Sequence, residues 1–136
     1  MNNKIFKKSY IAIVNGIFDK KLDTINYPIA RKENSIIERC VNANGDTAIT
    51  DYYVIKEFNN MSLIYVTLQT GRTHQIRVHM SYIGHPIIGD SLYGNSSELI
   101  NRQALHACKV CFIHPVTKEE MNFEADIPND ILNIIT

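Results

Sequence analysis

The chain has 136 residues, a length that suits a single domain built around one hydrophobic core. Its fourteen basic and fourteen acidic side chains cancel, so the total charge indicates neither strong sequence-independent binding to nucleic acid nor an acidic ligand, although a local basic surface is still compatible with it. The odd number of cysteines, three, and the lack of a signal peptide or of a roughly 20-residue apolar run predict a soluble cytoplasmic protein with free thiols.

The first half of the chain predicts strands separated by a long polar excursion. Residues 8–15 (KSYIAIVN) are apolar on nearly both faces, which predicts a strand at the centre of a sheet. Residues 17–44 have a weak, polar pattern that predicts at most short strands. Residues 47–58 and 62–69 alternate with period two on either side of Asn59-Asn60, and this pattern predicts an antiparallel hairpin.

Residues 74–83 fit two patterns. As a strand, they would place apolar and polar side chains on opposite faces; as a helix, they would carry one apolar stripe and one polar stripe. Thr73 has the side chain of an N-cap, and Gly84, followed by Pro86, has the position of a residue just past a helix end. Signals at both ends favour the helix.

Polar side chains are concentrated around this predicted helix. Arg72 and His74 lie at its N-terminus, where free backbone N–H groups attract anions, and Arg77 follows about one turn later. A lone arginine or histidine in such a place is usually a solvated or internally hydrogen-bonded residue. Composition therefore leaves open whether this cluster is structural or functional.

The C-terminal third predicts a second hairpin. Residues 98–103 suit a short helix, and residues 104–125 suit two strands with a turn from Pro115 to Lys118. Residues 130–136 fit a helical turn or a strand equally well. Together these elements predict an α+β domain that covers residues 1–136, with a mostly antiparallel mixed sheet and few helices.

A zinc site is the alternative that the C-terminal histidines and cysteines raise. The spacing of His106, Cys108, Cys111 and His114 resembles that of zinc ligands. On the predicted strand, however, Cys108 and Cys111 point to opposite faces and could not bind one ion. We therefore predict no metal site here.

Three segments together resemble the signature of the RluA-like pseudouridine synthases, enzymes that isomerise selected uridines in ribosomal or transfer RNA. They are residues 70–79 (TGRTHQIRVH), residues 84–86 (GHP) and residues 89–94 (GDSLYG). The resemblance extends over essentially the whole chain. It includes the family's tyrosine-bearing strand at residues 8–12 with Gly16, its Ala-x-Thr strand at residues 45–53, and its C-terminal hairpin at residues 105–107 with His114-Pro115.

The resemblance implies a pseudouridine synthase-like catalytic domain and names its site residues. Tyr10 corresponds to the tyrosine that lies against the target base and assists proton removal from its C5. Arg77 corresponds to the arginine that pairs with the catalytic aspartate. Arg72, His74 and Gln75 are expected to shape the motif and bind substrate. An RNA partner is implied, and no metal or organic cofactor is implied, because the isomerisation neither oxidises nor transfers a group.

One part of the family pattern does not occur in the sequence. The family's catalytic aspartate lies in a His-Arg-Leu-Asp segment followed by Thr-Ser-Gly, and none of the seven aspartates here has that context; Asp90 is expected to order the Gly-Asp turn. The sequence therefore resembles the C-terminal part of such a catalytic domain, as a truncated chain, a split reading frame or a degenerate paralogue would. We expect the isolated chain to be catalytically inactive.

The missing segment leads to one expectation about the surface of the sheet and to one alternative function. An apolar sheet edge or face should be exposed near Tyr10 and Ile11, which would favour self-association. The alternative to an enzyme is a non-catalytic RNA-binding module that keeps the family surface without its chemistry, although the neutral net charge argues against strong RNA affinity.

Overall fold

The fold is described here from a computed structural model, which describes residues 4–113 and 116–136. These residues contain eight strands and two helices. In chain order they are β1 (Lys4–Asn15), β2 (Leu22–Asn26), β3 (Ile29–Arg31), β4 (Arg39–Val41), β5 (Ile49–Phe58), β6 (Met61–Leu68), α1 (Gln75–Tyr82), β7 (Leu105–Ile113), β8 (Glu120–Glu124) and α2 (Asn129–Ile135).

The central position predicted for the first strand is confirmed. Six strands form one sheet in the order β2-β5-β6-β1-β7-β8, and β1 pairs antiparallel with β6 and with β7. Residues 11–14 are buried on both faces, as a strand that is apolar on nearly both faces requires. All the pairings in the described part of the sheet are antiparallel, and the predicted α+β class is confirmed.

Of the exposed apolar edge or face predicted near Tyr10 and Ile11, the edge is wrong. Because β1 is hydrogen-bonded on both sides, the edges of the sheet are β2 and β8, and Ile11 is buried. Self-association itself stays a prediction.

The hairpin of β5 and β6 is confirmed. Asn59 and Asn60 connect the strands with φ values of 49° and 59°, and two consecutive positive φ angles match the twist of a two-residue hairpin. The short strands predicted for the polar excursion are also confirmed. In that region, β3 and β4 form a separate two-stranded sheet.

The predicted helix is α1, but it begins one residue later than expected. Its N-cap is His74, in the left-handed conformation with φ 58°, and not Thr73. The side chain of Gln75 explains the difference, because its Oε1 accepts a hydrogen bond from the backbone N–H of Arg72 at 3.0 Å and so holds the preceding turn without a hydroxyl cap. Gly84 lies just past the helix end with φ 93°, as predicted.

The predicted helix at residues 98–103 is wrong. These residues form bends, because the chain here lies against its neighbours: the backbone N–H of Ala104 donates to the carbonyl of Ile88, and the carbonyl of Ala104 accepts from the N–H of Ile13. A Cβ added at Gly89 would lie 2.1 Å from the carbonyl oxygen of Arg102. The close approach of these two segments leaves no room for a helix.

The C-terminal hairpin is confirmed as β7 and β8. Its predicted turn from Pro115 to Lys118 falls partly outside the described residues, as do His114 and Pro115 of the resemblance. For residues 130–136 the sequence left two possibilities, and the structure has the helix: residues 130–135 belong to α2, Thr136 is its C-cap, and Ile131 is buried in the main core. In the part of the chain that the structure describes, neither helix has the length and apolar character needed to cross a bilayer.

Candidate active site

A cavity of about 230 Å³ opens between β1, the end of β6 and the start of α1. All five residues that the sequence singled out line it. Apolar side chains complete its walls, together with one further amide. The lining residues are Tyr10, Leu68, Arg72, His74, Gln75, Ile76, Arg77, Gln103 and Leu105. We call this space the tyrosine cavity.

Tyr10 is fixed in the tyrosine cavity by the register of the central strand. Its Cα partners are Val66 on β6 and Ala107 on β7. The ammonium of Lys8 lies 5.5 Å from the centre of its ring. The Tyr10 hydroxyl has no hydrogen-bond partner among the described residues and is not sealed from solvent. The phenol is therefore free to meet a ligand.

Arg77 enters the cavity from α1 and is held by a buried carboxylate. Its Nε and Nη2 each donate to one oxygen of Asp90, both at 2.9 Å. The Asp90 side chain is fully buried, and the Arg77 side chain is 16% exposed. The hydrogen bond to Asp90 raises the pKa of Arg77, so the guanidinium stays charged. Its Nη1 has no partner in the described part of the chain and remains available.

Asp90 also orders the turn in which it lies, as the sequence predicted. Its Oδ1 accepts the backbone N–H groups of Leu92 at 3.2 Å and of Tyr93 at 3.3 Å. Because the same carboxylate binds Arg77, the Gly-Asp turn and the arginine of α1 are fixed to each other.

Tyr93 connects the cavity to the β3–β4 hairpin. Its hydroxyl accepts the backbone N–H of Arg39 at 2.9 Å and lies 2.7 Å from Nδ1 of His74. The Arg77 guanidinium carbon lies 5.1 Å from the centre of its ring. The hydroxyl accepts from Arg39, and its own proton has no other acceptor among the described residues, so we assign that proton to the bond with His74.

His74 is consequently a neutral imidazole with its proton on Nε2. Burial lowers its pKa, and the charges of Arg77 and Arg39 lower it further. Within the described residues Nε2 has no partner, so the ring can donate a hydrogen bond to a ligand. A left-handed φ at a non-glycine residue costs roughly 1 kcal/mol or more, and such strain is common at functional sites.

Gln75 was predicted to bind substrate, and its hydrogen bonds do not fit that role. Its Oε1 accepts from the hydroxyl of Thr70 at 2.8 Å and from the N–H of Arg72 at 3.0 Å. Its Nε2 donates to the carbonyl of Ile49 at 3.0 Å and to the hydroxyl of Thr50 at 2.9 Å. Every donor and acceptor of this buried amide is used, so Gln75 positions the start of α1.

His79 completes the buried network beneath α1. Its Nε2 donates to the carbonyl of Tyr27 at 2.9 Å, and its Nδ1 lies 2.8 Å from the hydroxyl of Thr50. Burial lowers the pKa of His79, so the ring is neutral and Thr50 donates to it. Both ring nitrogens are bonded within the protein, which makes this histidine structural.

Two polar residues of the site, Tyr93 and Gln103, carried no role in the sequence-based prediction. Tyr93 belongs to the GDSLYG segment, so a signal for it was present in the sequence. Gln103 lies in an irregular segment, and its place in the cavity depends on a tertiary contact that no local pattern shows. Among the described residues, no group of three or more His, Cys, Asp or Glu side chains is placed to hold a metal ion; His114 and the side chain of Cys111 lie outside them.

Comparisons with known proteins agree on one family. A family model described as RNA pseudouridylate synthase matches residues 1–82. The uncharacterized RNA pseudouridine synthase YjbO of Bacillus subtilis (strain 168) is 47% identical over 133 residues, which cover 98% of this chain and 47% of the relative. The ribosomal large subunit pseudouridine synthase D of Blochmanniella floridana is 42% identical over 144 residues, which cover 94% of this chain and 45% of the relative.

Solved structures give the same result. The human RNA pseudouridylate synthase domain containing 1 superposes with a TM-score of 0.78 at 28% identity, covering 88% of this chain and 54% of that one. The present chain thus spans about half the length of the curated relatives that it matches.

Proposed function

We propose that this chain, which belongs to the RNA pseudouridylate synthase family, takes part in the isomerisation of uridine to pseudouridine in ribosomal or transfer RNA. In that reaction the bond between uracil N1 and ribose C1′ breaks, C5 becomes bonded to C1′, C5 loses a proton and N1 gains one. The observation that carries the proposal is the convergence of Tyr10 and Arg77 on one cavity, each with a polar atom that has no partner among the described residues. The site of action proposed is the cytoplasm, where these RNAs are found.

The tyrosine cavity suits one base that has left its stack. A uridine inside a folded RNA cannot reach such a site without flipping out, at a cost of a few kcal/mol. The side chains of Leu68, Ile76 and Leu105 offer apolar contact to the base. The face of Tyr10 adds stacking, which contributes roughly 1–3 kcal/mol per base in other proteins.

Tyr10 is proposed to assist the removal of the C5 proton. A phenol can both accept and donate a proton, and no described group of the protein competes for this hydroxyl. His74, as a neutral donor through Nε2, is placed to bind a uracil carbonyl. Arg72, exposed at the mouth, is placed to meet a phosphate.

Arg77 is proposed to hold the catalytic carboxylate of the family. Asp90 occupies the Nε and Nη2 edge of its guanidinium, and the edge with Nη1 remains for a second carboxylate. An arginine so placed keeps that carboxylate ionised and oriented. No aspartate of these 136 residues has the His-Arg-Leu-Asp context, so this carboxylate is proposed to come from a further segment.

The test supplies that segment. We would fuse the chain to the His-Arg-Leu-Asp-bearing segment of a family member and measure tritium released from RNA labelled at uridine C5. We expect release by the fusion and none by the 136 residues alone. In the fusion, Tyr10→Phe and Arg77→Ala should each lower the rate by about 10²-fold or more.

A matched control keeps this test specific. Tyr53 lies on the opposite face of the sheet, where it stacks on Tyr65, so Tyr53→Phe in the fusion should leave the rate unchanged. Turnover by the isolated 136 residues would contradict the need for a second carboxylate. Binding of RNA by the fusion without any release would favour the non-catalytic RNA-binding module.

A further inference from the structure

A second cavity, of about 320 Å³, lies beside the first and is lined by three arginines. Arg31 and Arg39 come from the β3–β4 hairpin, and Arg72 comes from the loop before α1. Arg72 lines both cavities. We call this space the arginine cavity.

The arginine cavity carries excess positive charge. Asp46 supplies the only carboxylate among its described lining residues, so three guanidinium groups against one carboxylate leave two positive charges. No ion pair joins Asp46 to any of the three arginines in the described residues. Glu38, the neighbour of Arg39 in sequence, is paired with Lys32 at 3.0 Å and does not reduce the excess.

The strand register places two of these arginines directly opposite each other. Arg31 is the direct partner of Arg39 across β3 and β4, and like charges in that relation destabilise a sheet. The hairpin has only three residue pairs, and neither Arg31 nor Arg39 forms an ion pair within the described residues. An anion between the two guanidinium groups would offset their repulsion.

Two of the arginines are held in place before any ligand arrives. Nη1 of Arg39 donates to the backbone carbonyls of Ile36, Ile37 and Glu38, with the shortest distance 3.1 Å. Nε of Arg72 donates to the carbonyl of Thr47 at 2.8 Å. Their remaining N–H groups have no partner among the described residues, so they are oriented and still able to bind.

The two cavities share the lining residue Arg72 and are also linked by hydrogen bonds of the protein. The backbone N–H of Arg39 donates to Tyr93, and Tyr93 donates to His74 in the tyrosine cavity. A ligand suited to both cavities has a flat group with polar edges at one end, to lie against Tyr10 and the apolar walls, and an anionic group at the other. A nucleotide flipped out of an RNA strand, with the phosphodiester next to it, has this form.

From these contacts we infer that the arginine cavity binds the RNA phosphodiester adjacent to the uridine in the tyrosine cavity. The inference rests on the proposed function and goes beyond it, since it assigns Arg31 and Arg39 to the RNA interface. These contacts carry no base information, so they should strengthen binding to any sequence equally.

The test measures the salt dependence of RNA binding. The probe is a fluorescein-labelled RNA stem-loop with a uridine in its loop, titrated with the 136-residue chain at several salt concentrations. We expect Arg31→Gln and Arg39→Gln each to weaken binding and to lower the slope of log affinity against log salt by about 0.7 to 1. Arg31→Lys, which keeps the charge, should retain most of the slope.

Lys20→Gln is the matched control, because it removes the same charge from the wall of a different cavity, beside Phe18 and His85. Arg31 is the cleaner of the two test positions, since Arg39 also supports its own loop. A slope unchanged in Arg31→Gln, with RNA still bound, would overturn the inference and leave the proposed function intact. No binding by the unsubstituted chain would overturn the RNA partner itself.

Discussion

The polar side chains around α1 form two groups that differ in where their hydrogen bonds end. Beneath the helix, Gln75 and His79 direct every polar atom to another group of the protein. In the tyrosine cavity, Tyr10, His74 and Arg77 each keep at least one polar atom without a partner in the described residues. The comparison separates side chains that build the site from side chains that can act in it, although the sequence gives both groups the same appearance.

The largest effect on stability is expected where the two groups meet, at the buried pair of Arg77 and Asp90. Asp90→Ala leaves the mostly buried guanidinium of Arg77 without its carboxylate partner, and we expect a loss of about 3–5 kcal/mol in the free energy of unfolding. Urea denaturation measures it. Asp130→Ala is the matched control, because Asp130 forms the same kind of bidentate ion pair with Arg102 at a more exposed position. Equal losses in the two variants would contradict the assignment.

The next effect concerns the amide that holds the helix start. Gln75→Leu removes four hydrogen bonds from buried or half-buried partners, and we expect a loss of about 1–3 kcal/mol. Gln103→Leu provides the comparison, since its amide lines the tyrosine cavity without a partner among the described residues and should change stability by less than about 0.5 kcal/mol. A similar loss in both variants would remove the distinction between the two groups.

The sheet was more predictable from the sequence than the site. Residues 11–14 are apolar on both faces, and that local property is sufficient to predict a central strand. The turn at Asn59-Asn60 could likewise be predicted locally, because asparagine readily adopts the positive φ angles that this turn requires. The start of α1 was missed because Gln75, through a side-chain bond to the turn before it, replaced the expected cap at Thr73.

The site depends on contacts between residues far apart in sequence. Five of the residues that line the tyrosine cavity were suggested by resemblance. Neither the carboxylate that holds Arg77 nor the hydrogen bond between Arg39 and Tyr93 follows from any local pattern. The arginine cavity was hidden for a related reason. A chain with zero net charge can still collect three arginines where two separate segments meet.

A smaller effect on folding stability is expected when the pH is lowered. Burial lowers the pKa of His79 below its ordinary value of about 6.5 in the folded protein, so the unfolded chain binds the proton more readily. Stability from this group is therefore complete above about pH 6.5 and is lost as the pH falls from there toward the folded-state pKa. Thermal unfolding between about pH 7.5 and 5.5 should show a falling Tm. His79→Gln should reduce this fall, and an undiminished fall would assign it to other groups, including His74.

The smallest effect on stability is expected at the residue with the largest proposed role in the chemistry. Tyr10→Phe removes a hydroxyl that has no partner in the described part of the chain, so the free energy of unfolding should change by less than about 0.5 kcal/mol. Tyr93→Phe removes a hydroxyl that accepts from Arg39 and donates to His74, and we expect a loss of about 1–2 kcal/mol. Urea denaturation of the two variants gives the comparison directly. If Tyr10→Phe were as destabilising as Tyr93→Phe, the Tyr10 phenol would belong with the groups that build the site.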